Sequence, residues 1–186
     1  MIRRVFFPLL LILCIAHLFN ACAAPANYLA YQSQNFCAEL RGTLNGIEFG
    51  AQIDIKTINT PKSPPENTED RLENYEIEIR YLSPKELKGI LVSVKYDPST
   101  GTLLTTAQLG EISVNIPKER IRGWLRPAEV LLSLSRNTLK SVQKNQTGFL
   151  LSFEEGISLT VDPSGRPLSL QSDDISFSVV WFQTEK

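Results

Sequence analysis

Histidine is nearly absent from this chain. The 186 residues contain one histidine, His17, and it lies within an apolar segment at the N-terminus. If that segment is removed on export, the remaining chain has no histidine at all. Because Ser-His-Asp triads, imidazole bases and histidine metal sites all need this side chain, these chemistries are excluded for the rest of the chain. We therefore predict a protein that is not an enzyme, with no catalytic residue, cofactor or metal ion.

Cysteine is also scarce, with Cys14, Cys22 and Cys37 as the only examples. Cys14 shares the N-terminal apolar segment with His17, and two scattered cysteines cannot form a zinc site. Cys37 lies in an apolar, strand-like stretch, where burial as a small hydrophobic residue is expected. No histidine is present to lower the pKa of its thiol, which argues against thiol catalysis.

Other functional motifs are missing or incomplete. The chain has no Lys/Arg-rich run with interleaved aromatics, so nucleic-acid binding is not expected, and it lacks the glycine spacing of a nucleotide loop. Ser141 and Lys144 match a serine-x-x-lysine motif without its companion motifs, and we interpret this as chance at a solvated helix end. Adjacent strand residues point to opposite faces, so we interpret the carboxylate pairs Glu154-Glu155 and Asp173-Asp174 as hairpin corners.

An export signal is predicted at residues 1–21. Arg3 and Arg4 precede an apolar run from Val5 to Leu18. This run is shorter than the roughly 20 residues that a membrane-spanning helix needs. A charged start, an apolar run and then small residues are typical of a cleaved secretory signal. We therefore expect the protein to act outside the cytoplasm.

Cys22 is the predicted lipidation site. The segment Phe19-Asn20-Ala21-Cys22 resembles the box at which bacterial lipoproteins are cut and acylated, with Ala21 and Cys22 matching. Acyl chains such as palmitate on Cys22 would anchor the protein to the cell membrane. The alternative is ordinary signal cleavage near Ala23-Ala24 and a secreted or periplasmic soluble protein. If Cys22 is not acylated, a disulfide between Cys22 and Cys37 is a further alternative outside the cytoplasm.

One domain is expected after the signal. About 165 residues remain from Cys22 onward, enough for a single hydrophobic core. The signal carries two of the 19 basic residues and none of the 20 acidic ones, so the remaining net charge is −3. We predict a tether at residues 22–34 and one domain at 35–186. Residues 57–70 contain three prolines and almost no apolar side chain, which predicts a mobile loop.

Alternating apolar residues predict antiparallel strands along most of the domain. Asn45-Gly46 is the strongest hairpin signal. The alternation is clearest in the stretches 36–40, 47–55, 75–81, 90–96, 149–153, 157–161 and 175–181. Antiparallel sheet with one apolar face must cover that face. We therefore predict an α+β, mainly antiparallel β fold: an incomplete, half-open β-barrel of about nine to eleven strands covered by one or two helices.

Two helical segments are predicted. Residues 83–89 have the composition of a single helical turn, opened by Ser83 and Pro84 and closed by a glycine. A leucine-rich stripe at residues 125–139 predicts the one longer helix, and we place Pro127 in its first turn.

Three stretches of this chain resemble the LolA-like lipoproteins of spore-forming bacteria, which include germination lipoproteins. They are residues 75–92 with the turn Leu82-Ser83-Pro84-Lys85-Glu86-Leu87-Lys88-Gly89-Ile90, the leucine-rich helix near 130–134, and the hairpin at 159–167. The resemblance covers roughly residues 36–183. It places the chain beside the wider LolA/LolB/RseB-like superfamily of outer-membrane-lipoprotein carriers.

This resemblance implies an unclosed β-barrel with helices laid over an apolar cavity. Relatives include carriers that shield the acyl chains of a lipoprotein, sensors that bind mislocalised lipoproteins, and germination lipoproteins that act through protein partners. The basic residues of the carriers have no counterpart by position in this chain, so no residue role is transferred.

Seven aromatic residues are the candidate lining of such a cavity. They are Phe49, Tyr81, Trp124, Phe149, Phe153, Phe177 and Trp181. Apolar pockets with few polar groups suit acyl chains. Plain core packing is the alternative for each residue. Trp124 lies between predicted elements, where an aromatic side chain would gate the mouth of the barrel.

Two functions fit these features. The first is a non-enzymatic envelope lipoprotein whose half-open barrel binds an apolar ligand such as a lipid or a lipoprotein acyl chain. The second is a LolA-like protein-interaction module that binds and regulates an envelope or cell-wall enzyme of the germination type. The predicted partners are the membrane, through acylated Cys22, and either an apolar ligand or an envelope protein.

Overall fold

The computed structural model describes residues 28–58, 75–97, 99, 102–134 and 137–185. The predicted signal at 1–21, Cys22, the first part of the tether and most of the predicted loop at 57–70 lie outside the described residues. The last part of the tether packs against the domain. It forms a short 3-10 turn at Ala30–Ser33, in which Tyr31 and Gln32 are buried.

The fold is one antiparallel sheet of eleven strands crossed by one α-helix in the described part of the chain. The strands are β1 (Phe36–Leu44), β2 (Ile47–Thr57), β3 (Tyr75–Ser83), β4 (Leu91–Asp97), β5 (Thr102–Leu109), β6 (Ile112–Asn115), β7 (Leu139–Lys144), β8 (Phe149–Phe153), β9 (Ser158–Val161), β10 (Pro167–Gln171) and β11 (Ile175–Thr184). The helix is α1 (Lys118–Ser133), and a 3-10 turn at Glu154–Gly156 joins β8 to β9. The predicted half-open antiparallel barrel is confirmed.

The strand order is β6-β5-β4-β3-β2-β1-β11-β10-β9-β8-β7. The chain therefore starts in the middle of the sheet and adds strands in one direction until β6. Helix α1 then carries the chain from β6 across the sheet to β7 at the opposite end. Strands β7 to β11 return to the middle, where β11 pairs with β1 along their whole length. The sheet does not close, because β6 and β7 stay at its two ends.

The hydrophobic core lies between α1 and one face of the sheet, which we call the inner face. Alternate strand residues reach this face, so Phe36, Ala38 and Leu40 of β1 are fully buried. Their neighbours on β2 and β3 continue the same rows: Ala51, Ile53, Ile55, Ile77 and Ile79. The opposite, outer face carries charged pairs such as Lys95 Nζ and Glu78 Oε1, 2.6 Å apart.

Helix α1 differs from its prediction at both ends. It begins after Pro117, and Pro127 lies inside it, so the prediction that Pro127 opens the helix is wrong. An internal proline removes one backbone hydrogen bond at a cost of ~3 kcal/mol. Burial of Leu125 and Ala128 beside it offsets that cost. No helix in the described part of the chain has the length and apolar character to cross a bilayer.

Two further local predictions are wrong. Leu139 opens β7 instead of continuing the helix, so Ser141 and Lys144 lie on a strand and not at a helix end. Residues 84–89 form turns and not a helical turn, after a cis Ser83–Pro84 peptide bond. The chain turns back because Tyr81 N–H donates to the carbonyl of Ile90 at 2.9 Å, while its own carbonyl accepts from Gly89 N–H at 2.9 Å.

Candidate functional site

An apolar cavity of about 270 Å³ lies on the inner face at the β6 end of the sheet. Its floor comes from β4, β5 and β6, and its roof from Ile121 and Trp124 of α1. The lining residues are Ile90, Val92, Ala107, Gln108, Leu109, Ile112, Val114, Ile116, Ile121 and Trp124. Gln108 is the one lining residue with a polar side-chain amide. The cavity is therefore suited to an apolar ligand.

The cavity floor follows from the register of three neighbouring strands. Val92 lies opposite Ala107, and Ala107 lies opposite Val114. The small side chain of Ala107 leaves space between the two valines and the helix above them. Because β6 has no further strand beside it, its apolar side chains stay partly in solvent. Ile112 is 71% exposed and Val114 is 50% exposed. The cavity thus opens at the edge of the sheet.

Trp124 is fixed at the roof by Tyr81. Their rings meet edge to face at a centroid distance of 5.6 Å and an angle of 87°. The Tyr81 hydroxyl also donates a hydrogen bond to the Trp124 carbonyl oxygen at 2.7 Å. Burial raises the pKa of Tyr81 to about 12, so this hydroxyl stays protonated at neutral pH. Tyr81 therefore supports the cavity from the adjacent core, while Trp124 lines it.

The inner face beneath the second half of α1 is filled by side chains. Tyr31, Phe36 and Phe182 form an aromatic cluster with centroid distances of 5.2 to 6.2 Å. The Tyr31 hydroxyl and the Gln32 amide both donate to the Leu131 carbonyl oxygen, at 2.9 and 2.6 Å. Burial raises the pKa of Tyr31 as well. This half of the helix is thereby held close to the sheet.

The structure disperses the seven predicted cavity residues. Trp124 lines the cavity and Tyr81 packs behind it. Phe49, Phe153 and Phe177 are only 3–4% exposed and belong to the filled part of the core. The two others, Phe149 and Trp181, are half-buried on β8 and exposed on β11, respectively. Of the seven predicted aromatic residues, Trp124 alone lines the described cavity.

The alternation predicted over residues 175–181 places Trp181 on the same face of the last strand as Phe177, and this is wrong. A β-bulge intervenes: Leu40 pairs with Val179 while Glu39 pairs with Trp181, so Val180 is an extra residue on β11. A bulge of one residue reverses the alternation that follows it. Trp181 consequently lies beside Glu39 on the outer face, 44% exposed. Phe182 takes the inner position and stacks on Phe36.

Nine lining residues were not predicted from the sequence: one is Gln108, and the other eight are aliphatic. They are Ile90, Val92, Ala107, Leu109, Ile112, Val114, Ile116 and Ile121. One feature of the sequence does indicate part of this lining. The stretch Ile112–Asn115 alternates apolar and polar residues without any charge, although it is an edge strand, and edge strands usually carry charges that discourage pairing. At the opposite edge, β7 carries Lys140 and Lys144.

An ion pair ties α1 to the turn between β10 and β11. Arg126 donates to Asp174 through Nε at 2.6 Å and through its terminal nitrogen at 3.0 Å. The Arg126 guanidinium, together with the Ser172 hydroxyl, lowers the pKa of Asp174 to about 2. The carboxylate conversely raises the pKa of Arg126. Glu154-Glu155 and Asp173-Asp174 lie in turns between strands, as predicted.

Cys37 lies on β1 opposite Asp54 and is a free thiol. Partial burial and the Asp54 carboxylate raise its pKa to about 11, so the thiol is protonated at neutral pH. Within the described ranges, no three His, Cys, Asp or Glu side chains are grouped so that they could hold a metal ion.

No protein-family model matches this chain, and no curated protein sequence matches it. Two solved structures show partial similarity. An uncharacterized conserved protein from Thermus thermophilus has a TM-score of 0.47 and 12% identity, over 86% of this chain and 85% of that chain. MucB has a TM-score of 0.45 and 14% identity, over 86% of this chain and 57% of the MucB chain. At scores and identities this low, neither likeness assigns the chain to a family or a function.

Proposed function

We propose that this protein is a non-enzymatic envelope protein that binds an apolar ligand, such as a lipid or a lipoprotein acyl chain, in the cavity beneath Trp124. The observation that carries the proposal is the lining, in which nine of the ten side chains are aliphatic or aromatic. The volume of about 270 Å³ lies just below the ≈300–1,000 Å³ that is common for small-molecule sites. Part of a chain fits inside, and the exposed side chains of Leu109 and Ile112 cover more of it.

The expected affinity is modest. Each methylene group removed from water contributes about 0.8 kcal/mol. A chain that buries about seven such groups gains roughly 5–6 kcal/mol, which corresponds to a dissociation constant between ~1 mM and ~1 µM. The resemblance of the sequence to LolA-like lipoproteins supports the same class of ligand.

The two tryptophans of the chain allow a direct test, because Trp124 lines the cavity and Trp181 lies on the outer face. The variant Trp181→Phe leaves Trp124 as the single emitter, and Trp124→Phe is the matched control. The probe is a dodecanoic acid with bromine at its methyl end, which quenches tryptophan on contact. We expect saturable quenching of Trp124 and none of Trp181. Equal quenching of both tryptophans, or none, would contradict the proposal.

Export and membrane attachment through acylated Cys22 form part of the proposal. They are supported by the apolar leader and by the Ala21-Cys22 pair of the lipidation box. We expect Cys22→Ala to move the protein from the membrane fraction to the soluble fraction, and Cys37→Ala to leave its distribution unchanged. Membrane partition that is unchanged in Cys22→Ala would contradict lipid anchoring.

The second candidate function is a protein-interaction module that regulates an envelope or cell-wall enzyme. It is favoured by β6, whose outer edge is unpaired and whose four residues are exposed and uncharged. Such an edge can accept a strand from another protein. Under this alternative, a partner protein co-purifies in stoichiometric amount and without lipid. The Val114→Lys variant should lose this partner protein, and the Leu104→Lys variant should retain it. Co-purified lipid without a protein would favour the first function.

A further inference from the structure

Strand β6 has backbone groups that point away from the sheet. In the described part of the chain, β5 is the single strand beside it. Ile116 N–H donates to the Thr105 carbonyl of β5 at 3.0 Å, and successive residues of an antiparallel strand direct their backbone groups to opposite sides. The even-numbered residues of β6 therefore face β5, whereas Ser113 and Asn115 direct their N–H and C=O groups to the open edge.

The side chains of β6 are complementary to those of a second β6. All four are exposed and uncharged. In antiparallel pairing centred on Ser113, the Ser113 residues of two copies exchange two backbone hydrogen bonds. Ile112 then lies opposite Val114 of the second copy on the inner face, and Glu111 lies opposite the uncharged Asn115. This pairing matches apolar with apolar side chains and opposes no like charges.

Other registers are less suitable. A shift of one residue would set Ser113 opposite Val114, whose backbone groups face β5, and would turn the two inner faces to opposite sides. Pairing centred on Val114 would set Glu111 opposite Pro117, which has no N–H donor. The register centred on Ser113 is therefore the one in which every outward-facing residue has an N–H donor.

The other edge of the sheet shows the opposite design. Asn145 N–H donates to the Gly148 carbonyl at the β7–β8 turn, so the even-numbered residues of β7 face the open edge. Pairing of β7 with itself centred on Val142 would set Lys140 opposite Lys144 of the second copy, and both side chains are exposed. Charges of this kind prevent self-pairing at an edge. The edge at β6 has no such protection.

A second copy also covers the open side of the cavity. Each cavity of about 270 Å³ opens at β6, where Ile112 is 71% exposed and Val114 is 50% exposed. A two-fold axis perpendicular to the sheet keeps both inner faces on the same side. Ile112 and Val114 of each copy then cover the rim of the other, and the two cavities adjoin. Twice the single volume lies within the ≈300–1,000 Å³ that is typical of small-molecule sites.

We infer that two copies of this protein pair through β6 in a symmetric dimer and that, resting on the function proposed above, their adjoining cavities hold one long alkyl chain. A standard interface has about 20–30 residues on each side, so pairing through a four-residue strand gives a weak dimer in solution. Attachment of both copies to one membrane raises their local concentration and favours the dimer.

The first test measures the oligomeric state by sedimentation equilibrium, without added ligand. The protein is the full chain with Cys22→Ala, recovered from the soluble fraction. We expect a monomer–dimer equilibrium whose dissociation constant rises at least about tenfold in Ser113→Lys, because two lysines then oppose each other at the axis. Ser178→Lys, at an exposed serine of β11 in the middle of the sheet, is the control and should leave the dimer unchanged.

The second test fixes the register by disulfide formation, in protein that also carries Cys37→Ala. Ser113→Cys places two thiols directly opposite each other, with about 5.5 Å between their Cα atoms, which a disulfide can span. Asn115→Cys is the control, because this exposed residue lies on the same strand but two positions from the axis. We expect oxidation to cross-link Ser113→Cys much faster than Asn115→Cys.

The third test joins the dimer to the ligand. Octanoate and hexadecanoate are titrated below micelle formation into Trp181→Phe protein, with the emission of Trp124 as the readout. Ser113 does not line the cavity, so Ser113→Lys acts through the dimer alone. In this variant the hexadecanoate affinity should fall at least about fivefold, and the octanoate affinity should stay the same.

The outcomes separate the dimer from the proposed function. A monomer at every concentration, a dimer that Ser113→Lys leaves intact, or a different protein bound at β6 in place of a second copy would overturn the pairing. Equal cross-linking of Ser113→Cys and Asn115→Cys would overturn the register. Unchanged hexadecanoate affinity in monomeric Ser113→Lys protein would overturn the joined cavity. A dimer that binds neither alkyl compound would overturn the proposed function while confirming the pairing.

Discussion

The two ends of the inner face contrast sharply in how they are filled. Beneath the second half of α1, which we call the filled end, Tyr31 and Phe36 are at most 3% exposed. Beneath the first half, the open end, Leu109, Ile112 and Val114 are 50–71% exposed. Both ends belong to one continuous sheet and are crossed by one helix. The tightly packed side chains and the cavity therefore lie in different strands of the same sheet.

The contrast has a physical cause in how α1 is held. At the filled end, Tyr31 and Gln32 bind the Leu131 carbonyl, and Arg126 binds Asp174. At the open end, the helix is held to the sheet through Tyr81 and Trp124. Strands β1 and β11 also pair beside the aromatic cluster, where Phe36 stacks on Phe182. A substitution should therefore cost stability at the filled end and binding at the open end.

The largest effect is expected for Phe36→Ala at the filled end. Removal of a fully buried phenyl ring leaves a cavity, and such changes lower the free energy of unfolding by about 3–5 kcal/mol. Chemical denaturation followed by circular dichroism measures this loss. A loss below ~1 kcal/mol would mean that the ring is not part of a tightly packed core.

A smaller effect is expected for Tyr31→Phe. This change removes the hydrogen bond to the Leu131 carbonyl, while Gln32 still donates to the same oxygen. The unfolding free energy should fall by about 1 kcal/mol. Tyr28→Phe, at a half-buried tyrosine of the same segment, is the control and should be close to neutral. Equal losses in the two variants would argue against an anchoring role for Tyr31.

The ion pair between Arg126 and Asp174 predicts a dependence of stability on pH. The pKa of Asp174 falls from an ordinary 3.8 to about 2 in the folded protein. Its contribution is therefore complete above about pH 4 and is lost as the pH falls toward 2. Because both side chains are 36% exposed, solvent screening limits the contribution to at most ~1 kcal/mol. Unfolding of wild type and Asp174→Asn should differ at pH 7 and coincide near pH 2, and a constant difference would contradict the prediction.

The smallest effect on stability is expected for Ile112→Ser at the open end. The side chain is 71% exposed, so the unfolding free energy should change by no more than about 0.5 kcal/mol. Dodecanoate binding should nevertheless weaken, because Ile112 lines the cavity. Leu104→Ser, on the outer side of β5, should affect neither property. A large loss of stability in Ile112→Ser would remove the distinction between the two ends.

Sequence patterns predicted the sheet better than the site. The period-two alternation located most strands, and the Asn45-Gly46 turn joins β1 to β2 as expected. Two predictions failed where tertiary packing determines the local structure. Pro127 lies within the helix instead of opening it, and the bulge at Val180 turns Trp181 to the outer face. A buried proline leaves the helical periodicity unchanged, and the phase shift of the bulge is hidden because residues 179–182 are all apolar.

The cavity could not be located because its position depends on strand order. Ile112 and Val114 face an opening because β6 ends the sheet. If β6 lay in the middle of the sheet, the same two residues would be buried in the hydrophobic core. The prediction favoured aromatic residues for the lining, yet Phe49 and Phe177 fill the core and small or aliphatic residues such as Ala107 leave the space. The small side chain of Ala107 therefore matters to the cavity as much as the larger side chains that line it.

Filling the space above Ala107 tests the account most directly. Ala107→Phe places a phenyl ring between Val92 and Val114 on the cavity floor. Leu104→Phe adds the same ring to the outer side of β5 and is the control. We expect the dissociation constant for dodecanoate to rise at least about tenfold in Ala107→Phe and to stay unchanged in Leu104→Phe. Wild-type affinity in Ala107→Phe protein, with its fold intact by circular dichroism, would contradict the claim that the open end is the binding site.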